Sequence, residues 1–328
     1  MRFRKAILAL SLTAATAAAV LGMTFAGVPR QEPQTVEDVY GVEKNGVGQD
    51  ISSAARHSSV DWNSGKPEET IPTSNFIDRK TLSAAWSRME VVDVPRGAIA
   101  GVVNHHVLAA ELIAGFFHAL KQSAPQTTRI IVISPDHFFS GRGPISVHDR
   151  SYATPNGILD SDQAFIDRLV SSTPALVENG AMFGQEHGVG ALAPFIKHEF
   201  PDARIVSIAM QGTMDRDMSR AFGKSLAGML DEQTLTIISS DMSHYLPEKT
   251  ALENDRTTID KLESLDAAFF STVKDDYVDN GVGLLALTSL MEELQLEPKF
   301  HLVGHGISSD YVSDDRSTTS YINGIWTR

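Results

Sequence analysis

Three stretches decide the fold: Ala98-Ile99-Ala100-Gly101-Val102-Val103 running into Asn104-His105-His106, Arg129-Ile130-Ile131-Val132-Ile133 running into Ser134-Pro135-Asp136-His137, and Leu235-Thr236-Ile237-Ile238-Ser239 running into Ser240-Asp241-Met242-Ser243-His244. Each is a short apolar run rich in β-branched residues, and each is followed by a histidine. Runs that do not alternate with polar residues read as strands buried on both faces, as in a parallel sheet covered by helices. Ligands of such sheets bind beyond the carboxyl ends of the strands, where side chains distant in sequence converge. The three histidines therefore predict a metal or catalytic site at one end of the sheet.

Working outward, Val107 to Gln122 carries apolar residues on a helical period and links the first strand to the second, which makes a βαβ unit. The same patterning predicts helices over Ser161 to Ser171, Val189 to Phe200, Met218 to Leu230, Leu252 to Val273 and Gly283 to Leu294, and strands over Arg204 to Met210, Lys299 to Val303 and Ser317 to Trp326. Strands alternating with helices predict an α/β fold, with a mostly parallel central β-sheet flanked by helices. A chain of 328 residues has room for two domains. Because α/β folds commonly keep about 250 residues together, a single domain is expected over residues 76–328.

The N-terminus reads differently. Met1-Arg2-Phe3-Arg4-Lys5 is basic, and Ala6 to Gly27 contains no charged residue. Residues 1–27 are thus expected to be a signal peptide, with Thr24-Phe25-Ala26 as its cleavage site, or an N-terminal membrane anchor, since about 20 apolar residues span a bilayer. Residues 28–75 are polar and aperiodic and are expected to be a flexible linker, with His57 and Trp62 as linker residues. The expected location is extracytoplasmic, secreted or anchored, with membrane contact only through the N-terminal segment. A net charge of −13 without a basic stripe argues against nucleic acid as a partner. Cysteine is absent, which removes disulfides, thiolate ligands and a cysteine nucleophile.

Several motifs then fall in a familiar order: Gly101 to His106, Ile133 to His137, Glu186-His187 with Ala193-Pro194-Phe195, Ser239 to His244, Ser308-Ser309-Asp310 and Ser320-Tyr321. In order and spacing they resemble the Memo family, whose bacterial and archaeal members are known as AmmeMemoRadiSam system protein B. The resemblance covers residues 97 to 328. It implies a fold similar to class III extradiol dioxygenases, with a metal pocket at one end of the sheet.

The resemblance also implies a ligand set. Two family histidines fall on His105 and His137. A family Cys-Gly-x-x-Pro segment aligns with Asp279-Asn280-Gly281-Val282-Gly283, which puts Asp279 in the place of the thiolate, and Asp276 takes that place if the register slips. Two histidines and one carboxylate with open positions are the signature of non-haem Fe(II) chemistry, so a divalent metal ion is expected, with Fe(II) favoured over Zn or Cu. Asp279 has a second reading, as a turn acid or a cap of the following helix.

By the same resemblance His244 stands where the dioxygenases have a general base, work suited to an imidazole titrating near neutrality. Asp241 would orient it or cap the turn. His187, at the start of a helical segment, either bonds a substrate oxygen or caps that helix. His305 falls on a position where the family commonly has tyrosine, and is a pocket residue or a further metal contender. His106 is expected to point away from His105. His118 and His198 read as packing or surface residues, and His148 and His301 carry no motif.

Departures from the family pattern are Asn104-His105-His106-Val107-Leu108 in place of Pro-His-Ala-Gly-Tyr, and Gly190 where an acid is usual. The functions consistent with these residues are a dioxygenase-like metal-dependent oxidoreductase, a metal-dependent hydrolase, and a non-catalytic metal- or peptide-binding protein. The expected partner is a small-molecule or peptide substrate.

Overall fold

The computed structural model describes residues 70–173 and 176–328. The expectations for residues 1–27 and for nearly all of 28–75, His57 and Trp62 included, lie outside the described residues. Among the described residues no helix is long and apolar enough to cross a membrane.

In chain order the strands are β1 (Ile71–Pro72), β2 (Ala98–Val103), β3 (Arg129–Pro135), β4 (Ile145–His148), β5 (Tyr152–Thr154), β6 (Gly157–Leu159), β7 (Leu176–Glu178), β8 (Arg204–Met210), β9 (Thr234–Ser239), β10 (Lys299–Ile307) and β11 (Ser320–Thr327). The helices are α1 (Arg79–Arg88), α2 (Ala110–Ser123), α3 (Gln163–Ser172), α4 (His187–Gly190), α5 (Ala193–Glu199), α6 (Arg216–Ala227), α7 (Glu248–Ser264), α8 (Ala267–Phe270) and α9 (Gly281–Glu293). Eight strands form one sheet in the order β10-β11-β2-β9-β3-β8-β4-β7. Its centre, β2-β9-β3-β8, is parallel, as the apolar runs predict. The sheet as a whole is mixed, because β10-β11-β2 and β8-β4 pair antiparallel.

Alternate residues of the central strands feed two cores, as the strand period of two requires. Ile130, Val132, Ile205 and Ile237 pack with Ile113, Phe117 and Phe195 on one face. Ile131, Ile133, Val206, Ile208 and Ile238 pack with Leu169, Phe222 and Leu285 on the other. The result is a sheet between two layers of helices.

Two features of the fold place the site. Helices α6 and α9 meet backbone to backbone, since a Cβ on Gly223 would come within 2.0 Å of the Ala286 carbonyl oxygen. The first turn of α9 is pinned to the sheet by Asn280, which is fully buried. Its amide donates to the carbonyls of Ile133 and Ser239, both at 2.9 Å, and its carbonyl caps α9 by accepting from the Gly283 amide at 3.0 Å. Asp279, immediately before it, is thereby held at the ends of β3 and β9.

The described residues ahead of position 76 pack with the folded part. Ile71–Pro72 pairs with Tyr152 and Ala153 in a small second sheet, β1-β5-β6, because Ile71, Phe76 and Ile77 are apolar anchors buried in the core. Helix α1 was not legible in the sequence. It is capped by Asp78, whose side chain accepts from the amides of Lys80 and Thr81, and it buries only Leu82 and Ala85.

Candidate metal centre

His105 follows the end of β2 by two residues, His137 follows β3 by two, and Asp241 follows β9 by two. Because β9 lies between β2 and β3, these three side chains leave adjacent strands at the same end of the sheet. The imidazoles meet there: His105 Nε2 and His137 Nε2 are 3.1 Å apart. Asp279 Oδ2 completes a triangle, 3.4 Å from His105 Nε2 and 3.6 Å from His137 Nε2. His187 joins from the start of α4, with its ring centroid 4.1 Å from that of His137 and 5.1 Å from that of His105. His105, His137 and His187 each offer a nitrogen within 4.8 Å of the others, so this cluster could hold a metal ion.

The hydrogen-bond network assigns the tautomers. Ser239 Oγ donates to the Gly188 carbonyl at 2.6 Å, so it meets His105 Nδ1, 2.9 Å away, as an acceptor. His105 then carries its proton on Nδ1. On His137, Nδ1 faces Glu186 Oε1 at 2.6 Å and must donate to it. Neutral His105 and neutral His137 therefore both turn a bare Nε2 lone pair toward each other and toward Asp279 Oδ2, a buried oxygen with no hydrogen-bond partner. Three converging lone pairs repel unless a positive charge stands among them, either a second proton on His137 or a metal ion that displaces it. A circle through atoms with these spacings has a radius of about 2.0 Å, the bond length of a divalent ion to imidazole nitrogen or carboxylate oxygen. The residues present fit such an ion.

The carboxylates around the cluster act on the histidines from behind. Glu186 is fully buried and caps α4 through the Gly188 amide at 2.9 Å, while its Oε2 accepts from the His137 amide at 3.0 Å. This is the carboxylate–histidine arrangement that fixes ring orientation at metal sites. Ser240 Oγ donates to Asp279 Oδ1 at 2.7 Å, which leaves Oδ2 for the cluster. Asp241 Oδ1 accepts from the His105 amide at 3.0 Å and tethers the end of β2.

Burial first, then the positive charge that His137 can carry, holds His105 well below the usual imidazole range. At His137 burial works in the same direction but is outweighed by Glu186 and Asp279, so its affinity for a proton rises well above the usual range. Burial likewise opposes the charge on Glu186, yet His137 beside it brings the carboxyl down to about 2. Burial and His137 lower His187 to about 3, and it is neutral at ordinary pH. Asp241 is pushed up to about 7, by burial first and then by the charge of Asp279.

With this geometry in view, the comparison with known proteins is decisive: the family model described as Memo-like protein matches residues 97–325. The chain belongs to the Memo-like family. A MEMO1 family protein from Caldivirga maquilingensis is 26% identical over 55% of this chain, which spans 65% of that relative's length. Another from Methanopyrus kandleri is 24% identical, covering 70% of this chain and 83% of the relative. A third, from Pyrobaculum arsenaticum, is 27% identical, with 70% and 84% covered. A crystal structure of an uncharacterized protein from Escherichia coli K12 aligns with a TM-score of 0.44 and 13% identity, covering 69% of this chain and 99% of that one.

In this Memo-like chain the structure brings together His105, His137, His187 and Asp279, and sets Asp241 beside them, its Oδ2 3.8 Å from His105 Nε2. Asp276 stays out: it is exposed, and its backbone carbonyl accepts from Asn254 Nδ2. The helix that follows Asp279 is capped by Asn280, not by Asp279. His187 is not the cap of its helix either, a task done by Glu186. His244 lies in the loop after β9, tied through its amide to the Asp275 carbonyl, and its Nδ1 is buried without a hydrogen-bond partner. Asp241 bonds the backbone of His105, so any orienting role begins there. His106 turns to Tyr321, with Nδ1 2.8 Å from the phenol oxygen. His305, on β10, pairs with buried Asp255 of α7 at 2.7 Å. Two residues escaped sequence reasoning: Glu186, noted only as part of a motif, and Asn280, seen only as a neighbour of Asp279. A polar residue inside an apolar helix start was the available signal for Asn280.

Proposed function

We propose that the chain is a metal-dependent oxidoreductase of the dioxygenase type, with one divalent ion, Fe(II) by preference, held by His105, His137 and Asp279. The observation that carries this reading is the triangle formed by His105 Nε2, His137 Nε2 and Asp279 Oδ2, with sides of 3.1, 3.4 and 3.6 Å. Two imidazoles and one carboxylate on one side of an ion leave its other positions open, which is the donor set of non-haem iron chemistry. When bound, such an ion polarises a coordinated oxygen and offers one-electron chemistry.

The remaining work falls to the chain. Glu186 and Ser239 engage the Nδ1 atoms of His137 and His105, so that both Nε2 atoms turn to the position an ion would take. His187, neutral and packed against His137, presents a nitrogen to a substrate oxygen. His244, with a buried and unbonded Nδ1, takes the proton of a substrate hydroxyl as general base. Its substrate is a small molecule or a peptide. The basic start and the uncharged stretch from Ala6 to Gly27 support an extracytoplasmic location.

One observation favours a second reading. If His187 and not Asp279 is the third ligand, three histidines with an open position make the set of a hydrolytic zinc centre. Elemental analysis of Asp279→Ala and His187→Ala decides between them. The oxidoreductase reading expects metal to be lost in the first and kept in the second. The opposite result would transfer the assignment to the hydrolase.

A further inference from the structure

Next to the cluster lies a cavity of about 480 Å³, within the size range of small-molecule sites. The loop from Val273 to Val282 forms one side, Phe139 another, and the start of α6 with Arg216 a third. Asp279 belongs both to this cavity and to the triangle of donor atoms. A ligand filling the cavity therefore ends beside the triangle of donor atoms.

Two independent observations say that the cavity is built to hold something. Phe139 is 60% exposed and has a φ of +49°, a left-handed conformation disfavoured for any residue with a Cβ. Its turn is fixed by Asp136, whose carboxylate accepts from the amides of Ser140 at 3.0 Å and Gly141 at 2.9 Å. An exposed aromatic ring is thus kept at the cavity in a backbone state that core packing does not demand, the kind of local strain that collects at binding sites.

The second observation is charge. Arg216 donates from Nε to the Ser271 carbonyl at 3.1 Å, and from Nη1 to the carbonyls of Gly212 at 2.9 Å and Met214 at 3.1 Å. All three partners are neutral. Lys274 is exposed on the same wall, and neither cation is in an ion pair with a carboxylate among the described residues. Asp275 and Asp276 share the rim, so the wall alternates in sign and fixes where a ligand's negative charge can sit.

We propose that this cavity binds a small organic acid, whose carboxylate meets Arg216 and Lys274, whose carbon skeleton lies against Phe139, and whose far end reaches the ion beside Asp279. The proposal deepens the metal-centre reading and rests on it. A charge-assisted bond at a partly desolvated site outweighs its neutral counterpart, so charge is the property to vary.

The test uses the full chain loaded with zinc, its metal content measured first, and calorimetric titration with succinate and with the neutral isostere succinamide. Succinate is expected to bind and succinamide not. Lys274→Gln and Arg216→Gln should each weaken succinate by about tenfold or more, and Arg216→Lys should recover part of the loss. Zinc content should be unchanged in all three. Failure of zinc-loaded wild type to bind succinate, or binding by both glutamine variants as tight as that of the wild type, overturns the proposal and leaves the metal centre standing. Failure of the wild type to take up zinc overturns both, and it is read before any acid is added.

Discussion

Glu186→Gln is the perturbation that isolates the role of the buried carboxylate behind His137. Wild-type Glu186 accepts from the His137 amide, the His137 ring and the Gly188 amide, and all three partners are donors. A glutamine of the same shape has one oxygen and one NH2 group. Wherever the NH2 points, it faces either a buried N–H or the ring nitrogen. Facing an N–H, it leaves one donor unsatisfied, at a cost of about 1–3 kcal/mol in fold stability. Facing the ring, it donates to Nδ1 and drives the proton to Nε2, the atom 3.1 Å from His105 Nε2 that has to bind the ion. Loss of such an outer carboxylate typically weakens metal affinity by about 10–100-fold, equivalent to roughly 1.4–2.7 kcal/mol. Competition titration of zinc against a chelating dye reads the affinity, and thermal unfolding with and without metal reads the stability. A variant that both binds zinc within twofold of wild type and loses less than about 1 kcal/mol of fold stability would show that Glu186 does not set the His137 tautomer, and the convergence of lone pairs would lose its cause.

Other outcomes follow from the same contacts. Asp279→Asn should weaken metal binding at least tenfold, and Asp276→Asn should leave it within about twofold, because Asp279 and not Asp276 places an oxygen among the histidines; the reverse order, read by the same titration, would move the ligand role. Metal affinity should rise with pH through the neutral range by up to about tenfold per unit, since the ion displaces the proton that Glu186 and Asp279 hold on His137. A folded pKa raised above the unfolded value gives the metal-free protein stability that is complete below about pH 6.5 and is lost as pH climbs through the folded value. Unfolding curves at several pH values should therefore show the metal-free form weakening in the range where the loaded form gains. Asn280→Ala should cost about 2–4 kcal/mol by denaturant unfolding, because it removes two bonds to strand ends and the cap of α9 together; a cost under about 1 kcal/mol would mean that α9 is held by its apolar surface alone.

The centre of the fold was legible because its strands are predominantly apolar and rich in β-branched residues. Ala98–Val103, Arg129–Pro135, Arg204–Met210 and Thr234–Ser239 lie in the parallel core, and burial on both faces demands that composition. The outer strands Ile145–His148, Tyr152–Thr154 and Gly157–Leu159 escaped because three or four residues carry no readable period and mix polar with apolar side chains. The antiparallel edges of the main sheet depend on pairings across the chain that local patterning does not encode. Strand-end placement brought His105 and His137 to one point, as expected, and resemblance to a family segment singled out Asp279. The supporting groups were harder to see. Glu186, Ser239 and Asn280 act through hydrogen bonds to partners far along the chain, and nothing near them in sequence announces those partners.

The metal centre is tested most directly by the metal content of protein purified without oxygen and without added chelator. About one divalent ion per chain is expected by elemental analysis in the wild type, and none in the double variant His105→Ala, His137→Ala that remains folded by circular dichroism. A wild type without stoichiometric metal, even after incubation with Fe(II) or zinc, or a double variant that keeps its ion, would contradict it.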